Sequence, residues 1–247
     1  MIICNLKTYI MRRKKFSDWS LIFDFDGTLA KTTMIGVERI NNICQEIELD
    51  KNKTPDNNTL RRLWGLPYRT LIEIVANEFG WSDSEFENFW IEDSLYINPK
   101  PKKFNSIDHA LSYIHEIGFN LGIISSRDRG SIIELATTCG IDLNLFDYLQ
   151  GSHCHDFMKP DPRVFDLFED HLKQKGRDVN KVIYVGDTVL ADYEAAKRKG
   201  LKFVAIASSF ISTPADFMSA GLSEKLIFDN PADLCLNIDE VIDFYQK

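Results

Sequence analysis

The sequence predicts an α/β fold, a doubly wound parallel sheet core into which an all-helical domain is inserted. Three observations carry that expectation. Short apolar runs without polar alternation recur along the chain, as strands buried on both faces do. Segments of helical periodicity separate them, and strand alternating with helix implies parallel pairing with helices on both sides. From about Thr33 to Pro99 that rhythm is broken by a long stretch of helical periodicity with almost no strand signal.

Strands are expected at Leu21 to Phe23, Leu121 to Ile124, Val182 to Val185, Phe203 to Ile206 and Leu226 to Phe228. Ile107, Leu111 and Ile114 recur at steps of four and three, with Gly118 just past the helix end. Asp161 is placed to cap a helix that begins at Pro162 and carries Val164, Leu167, Phe168 and Leu172 on one face. Another helix, Ala191 to Lys199, closes at Gly200. Inside the helical stretch, Ser82 and Glu85 have capping-box spacing ahead of Phe86, Phe89 and Trp90. Asn57 and Asn58 near Pro55 mark a loop, and Asn98-Pro99-Lys100-Pro101 reads as the linker back to the core. The expected division is an N-terminal tail over 1–16, a core over 17–33 and 100–247, and a helical domain over 34–99.

Composition excludes several functions. Acids exceed bases by 37 to 29 in 247 residues, a net charge of −8, which disfavours a nucleic-acid partner. Cys4, Cys44, Cys139, Cys154 and Cys235 are scattered without a CxxC pair, as suits reduced thiols in the cytoplasm. The start, MIICNLKTYIMRRKKF, lacks a signal-peptide apolar run, and no 18-residue apolar run occurs, so no membrane partner is expected. The basic run Arg12 to Lys15 reads as a solvated tail, with Met11 an alternative start. His153, Cys154 and His155 are adjacent, which places neighbouring side chains on opposite sides of an extended segment and argues against a zinc site.

The polar residues at the strand ends point to chemistry. Asp24 follows one apolar run, Ser125 another and Asp187 a third, and the carboxyl ends of parallel strands line the ligand crevice of such a sheet. Asp26 lies two residues beyond Asp24, Gly27 frees the backbone for a tight bend, and Thr28 supplies a hydroxyl. Two carboxylates about 4 Å apart repel by roughly 4 kcal/mol at an effective dielectric near 20, so a cation must sit among them. Hard oxygen ligands favour Mg²⁺, and Lys159 is the candidate for a fixed positive charge.

DFDGT (Asp24 to Thr28), GIISSR (Gly122 to Arg127), KPDP (Lys159 to Pro162) and VGDTVLAD (Val185 to Asp192) occur in that order. Together they resemble the four motifs of the haloacid dehalogenase-like superfamily of phosphohydrolases, with its Rossmann-like core, over Leu21 to about Leu234. The insertion after the first motif is similar to that superfamily's helical cap. ASSFISTPADFMSAG and LIFDNPADL are similar to the tail of its phosphoglycolate-phosphatase-like branch.

The resemblance implies a Mg²⁺-dependent phosphatase acting on a small phosphorylated metabolite, with Asp24 as the nucleophile that forms an aspartyl-phosphate. Metal would be held by Asp24, the Asp26 backbone carbonyl and Asp187, with Asp192 a ligand directly or through water. Asp26 would be the general acid and then the base, neighbouring carboxylates favouring its protonated form, while metal and Lys159 keep Asp24 ionised. Phosphate would be bound by Thr28, Ser125, Ser126 and Lys159. Arg127 would help hold phosphate or the loop, or be simply solvated. Because dehalogenases of this type lack a second acid at position 26, ester chemistry is favoured. Arg69, within the Arg61 to Arg69 segment, is expected to meet a second anionic group of the substrate, with Arg61 and Arg62 as lesser candidates. Two alternatives stay open: a sugar-phosphate mutase similar to β-phosphoglucomutase, and a catalytically idle phospho-ligand binder. The sequence leaves the oligomeric state open.

Overall fold

The computed structural model describes residues 16–154 and 156–247; the basic run, Met11, Cys4 and His155 lie outside them. In chain order, β1 (Ser20–Phe23) leads through the two-residue β2 (Ala30–Lys31) into four helices, α1 (Thr33–Glu46), α2 (Asn57–Leu63), α3 (Tyr68–Glu78) and α4 (Asp83–Leu95). The chain returns through β3 (Lys102–Lys103), which pairs antiparallel with β2. Helices and strands then alternate: α5 (Ile107–Glu116), β4 (Asn120–Ile124), α6 (Arg129–Cys139), β5 (Tyr148–Gln150), α7 (Asp166–Gln174) and β6 (Val182–Gly186). After them come α8 (Glu194–Lys199), β7 (Lys202–Ile206), α9 (Pro214–Ser219), β8 (Ile227–Phe228), α10 (Pro231–Leu236) and α11 (Ile238–Tyr245).

Six strands form one parallel sheet in the order β5-β4-β1-β6-β7-β8. This is the expected α/β class. Every residue of β1, β4 and β6 is buried, which is why their sequences run apolar instead of alternating. Register sets the site: Phe23 lies level with Ile123 on one side and Val185 on the other. Neighbouring strands are about 4.8 Å apart, so the residues that follow β1, β4 and β6 emerge side by side.

The four helices between β2 and β3 enclose a second apolar cluster that includes Val37, Ile40, Leu60, Ile72, Val75 and Phe89. Ile211, from the loop after β7, is part of that cluster and joins it to the sheet. The Ser82 and Glu85 capping box forms as the spacing predicts.

Several local expectations need correction. Phe16, assigned to the tail, is buried and stacks on Phe119 with ring centroids 4.9 Å apart, because the apolar ring completes the core beside β4. Asn57 and Asn58 are not loop; they form the first turn of α2, capped by Asp56, which accepts from the Thr59 N–H. Leu167 is 44% exposed. A 3₁₀ turn over Pro162–Phe165 precedes α7, and it turns Phe165 inward together with Val164, Phe168 and Leu172. The strand β5 and the β2/β3 pair are not expected from the sequence, because they are short and interrupted by lysines or Gln150 where β8, as short, continues an apolar run.

Candidate active site

The carboxyl edge of the sheet brings Asp24, Ser125, Lys159, Asp187 and Asp192 together, all less than 10% exposed. Asp24 leaves β1 with its N–H donated to the Val185 carbonyl at 2.8 Å, which ties the turn to β6. Ser125 likewise donates its N–H to Gln150 of β5 at 3.1 Å, and its Oγ accepts from the Arg127 N–H at 3.2 Å. Ser126 borders the same small hollow as Ser125 and Lys159. Thr28 is fully buried, and its Oγ1 has no hydrogen-bond partner among the described residues.

Lys159 Nζ donates to Asp24 Oδ1 at 2.8 Å, to Asp192 Oδ1 at 2.5 Å and to the Tyr184 hydroxyl at 3.0 Å. Asp192 is engaged at both oxygens. Its Oδ2 accepts from the Asp187 N–H, the Thr188 N–H and the Thr188 hydroxyl at 3.2, 3.0 and 2.7 Å. Thus Asp192 ties the loop after β6 to Lys159.

Gly27 explains how Asp187 comes so close to the first turn. It has φ +74°, and a Cβ there would lie 1.9 Å from Asp187 Oδ2 and 2.6 Å from Thr33 Oγ1. Gly27→Ala therefore meets both backbone strain and a clash with a buried carboxylate. It is expected to cost a few kcal/mol, lowering the melting temperature by roughly 5–10 °C in a chain of this size. A thermal scan with an unchanged midpoint would contradict this packing.

Charge is unbalanced in the cluster. Asp24, Asp187 and Asp192 each offer an oxygen, all within 4.8 Å of one another, and one ammonium faces them. Burial raises the Asp24 carboxyl from the usual 3.8 to about 7 against the opposing pull of Lys159, so the ionised form expected from the sequence needs the metal as well as Lys159. Burial, then the Asp192 and Asp24 charges, push Asp187 well above the ordinary range. For Lys159, burial works against the charge, but Asp192 and Asp24 outweigh it and hold the ammonium protonated. An all-oxygen, over-charged donor set of this kind fits a hard divalent cation.

These shifts predict a pH dependence. Folded Asp24 binds its proton more tightly than unfolded Asp24, so the stability it contributes is complete below about pH 4 and is lost as pH rises through about 7. In chelator, the melting temperature should fall from pH 5 to pH 8 more steeply in the wild type than in Asp24→Asn. Equal slopes in calorimetry would refute the raised carboxyl.

Asp26 sits in surroundings the sequence did not suggest. Besides the neighbouring Asp24 and Asp187, it meets the Arg127 guanidinium in a two-pronged pair, Nε to Oδ2 and Nη2 to Oδ1, both 2.8 Å. Thr32 Oγ1 also donates to Asp26 Oδ1 at 2.6 Å. Arg127 is consequently held in an ion pair and only partly exposed.

The helical segment Arg61 to Arg69 divides. Arg61 forms an ion pair with Asp216 on α9, and Gly65, at φ +96°, packs so close to the π-helical turn after β6 (Val189–Tyr193) that a Cβ would lie 2.7 Å from Ala191 Cβ. A cleft of about 370 Å³ opens there between helices and core, lined in part by Asn58, Arg61, Arg62, Leu190 and Ser212. Arg69 is not brought to the Asp24 cluster: it is exposed on α3, pairs with Glu73 at 3.0 Å and lies over the Trp90 ring. Because Pro67 starts a new helix, residues beyond it face elsewhere.

A family model described as haloacid dehalogenase-like hydrolase matches residues 21–206, about three quarters of the chain. The chain belongs to this hydrolase family. As a haloacid dehalogenase-like hydrolase, it is 26% identical over 207 residues to a glyceraldehyde 3-phosphate phosphatase of Pyrococcus abyssi, covering 74% of this chain and 79% of that one. Its fold is similar to that of a solved haloacid dehalogenase-like hydrolase from Bacteroides fragilis, with TM-score 0.69 and 23% identity, covering 89% of this chain and 100% of that one. A structure from Thermotoga maritima assigned as a β-phosphoglucomutase has TM-score 0.64 and 21% identity, covering 90% of this chain and 99% of that one. Among the described residues, no helix is long and apolar enough to cross a membrane.

Sequence reasoning missed Tyr184 and the reach of Arg127. The signal for the first was present: a tyrosine in the middle of an apolar strand needs a buried partner for its hydroxyl.

Proposed function

We propose that this hydrolase is a Mg²⁺-dependent phosphatase that cleaves a small phosphate monoester through an aspartyl-phosphate on Asp24. The helices over 34–99 would serve as a cap on the site. The observation that carries the reading is the buried Lys159 ammonium 2.8 Å from Asp24 Oδ1, with Asp187 beside it and Asp26 two residues along. A structural ion pair would need one carboxylate; this cluster has three within 4.8 Å of one another, two of them paired with Lys159.

Asp24 and Asp187 carboxylates with the Asp26 carbonyl would hold Mg²⁺, which when bound neutralises phosphoryl oxygens and favours ionised Asp24. Asp192, saturated by its own donors, serves better as an anchor than as a direct ligand. Asp24 attacks phosphorus in line, the P–O ester bond breaks, and the departing oxygen takes a proton from Asp26. Water then attacks the aspartyl-phosphate at phosphorus, giving its proton to Asp26 and releasing phosphate. Lys159 and Ser125 steady the transferring oxygens, and the unpartnered Thr28 hydroxyl is available nearby. Asp26 must part from Arg127 before it can carry a proton, so loosening of that pair accompanies turnover.

The Pyrococcus abyssi relative, named for a three-carbon sugar phosphate, supports a small phosphorylated metabolite as substrate. Free Cys44, Cys139, Cys154 and Cys235 support a cytoplasmic setting. A screen for phosphate release across sugar phosphates, phosphoglycolate and nucleotides, with and without Mg²⁺, tests the function. Metal-dependent release supports it; isomerisation of a hexose 1-phosphate without free phosphate would favour the mutase.

A further inference from the structure

Tyr184 lies at the middle of β6, fully buried, yet its hydroxyl meets three polar atoms of the site. It is 3.0 Å from Lys159 Nζ, 3.0 Å from Asp192 Oδ1 and 3.2 Å from the Ile124 carbonyl. Ile124 belongs to β4, two strands away from β6, so the phenol reaches across the end of β1 to the residue preceding Ser125. We propose that Tyr184 is a positioning residue that aims the Lys159 ammonium at Asp24, an inference resting on the phosphatase reading of that site.

The donor inventory supports it. An ammonium has three protons, and Lys159 has three acceptors: Asp24, Asp192 and the Tyr184 oxygen. Satisfied on all three, the ammonium has one orientation. The phenol proton is then given to the Ile124 carbonyl or to Asp192, so the hydroxyl both accepts and donates. Without it, Lys159 would sit between two carboxylates and settle toward Asp192, which is already the nearer at 2.5 Å against 2.8 Å. Less positive charge would then face the nucleophile and the phosphoryl oxygens, where its effect is greatest in the transition state.

Ring packing is a separate matter. Tyr184 is edge-on to Phe165 at 4.9 Å and tilted against Phe203 at 6.1 Å, contacts that phenylalanine keeps. Tyr184→Phe thus removes one oxygen and leaves the core filled.

The test uses the full chain with Mg²⁺, p-nitrophenyl phosphate as substrate and orthovanadate as the probe of the phosphoryl site. Tyr184→Phe should lower kcat about tenfold, change KM less than twofold and weaken vanadate binding about tenfold, with circular dichroism unchanged. In a Lys159→Met background the same substitution should leave vanadate affinity unaltered, because the group it steers is gone. Wild-type kcat in Tyr184→Phe, or an equal loss of vanadate affinity in both backgrounds, would overturn the proposal. If the Lys159→Met background folds poorly, the split between kcat and KM in Tyr184→Phe alone decides, an unchanged kcat overturning the proposal. A wild-type protein that neither binds vanadate nor releases phosphate would instead remove the phosphatase reading beneath it.

Discussion

Asp24→Asn is expected to lower kcat for phosphate release by about three orders of magnitude or more while leaving the chain folded. The amide occupies the same volume, and its oxygen still accepts from Lys159, so the turn after β1 keeps its contacts. What it lacks is the anionic oxygen that the proposed reaction uses as nucleophile, and the neighbouring acids are poorly placed to replace it: Asp187 lies beneath Gly27, and Asp192 is engaged at both oxygens. Intact-mass measurement during turnover should detect a phosphorylated wild-type chain and none in the variant. Undiminished phosphate release from Asp24→Asn would end the assignment of this residue as nucleophile.

Lys159→Met is the second large effect, and here stability changes together with rate. The substitution leaves Asp24 and Asp192 buried without the ammonium that both contact, and stranding buried charges in this way costs about 3–5 kcal/mol. In a chain of about 250 residues this corresponds to a fall of roughly 6–20 °C in melting temperature. The fall should be smaller at pH 5 than at pH 8, because carboxyls already raised by burial take up protons once the cation is gone. A loss of melting temperature independent of pH would mean that the missing methylene packing, and not the charge, is responsible. Added Mg²⁺ should restore part of the stability if the same oxygens hold it.

The core of the site was legible because parallel strands translate sequence into position. Asp24, Ser125 and Asp187 each follow an apolar run, and pairing in register puts the ends of those runs at one edge. Lys159 was legible as the one cation needed among acids. Tyr184 and Arg127 act sideways: their side chains cross neighbouring strands or turns, and strand periodicity says which face a residue occupies, not how far its tip extends. Arg69 was misplaced for a related reason. Residues 61 to 69 read as one unit, but α2 ends at Leu63 and α3 begins at Tyr68, so its two ends have different surroundings. β2, β3 and β5 carry Lys31, Lys102, Lys103 and Gln150 in place of an apolar run, unlike the equally short β8. Their formation depends on partners far along the chain.

Both passages of the chain between sheet and inserted helices run side by side as β2 and β3, joined through Ala30 with Lys103 and Lys31 with Lys102. The backbone of the inserted helices is therefore joined to the sheet at a single seam, which would be the line of any swing of the proposed cap. The Arg61–Asp216 pair and the seat of Gly65 on Ala191 act away from the seam as a catch. If these helices cap the site as proposed, opening it would require the Arg61–Asp216 pair, the Gly65 seat and the Ile211 contact all to part.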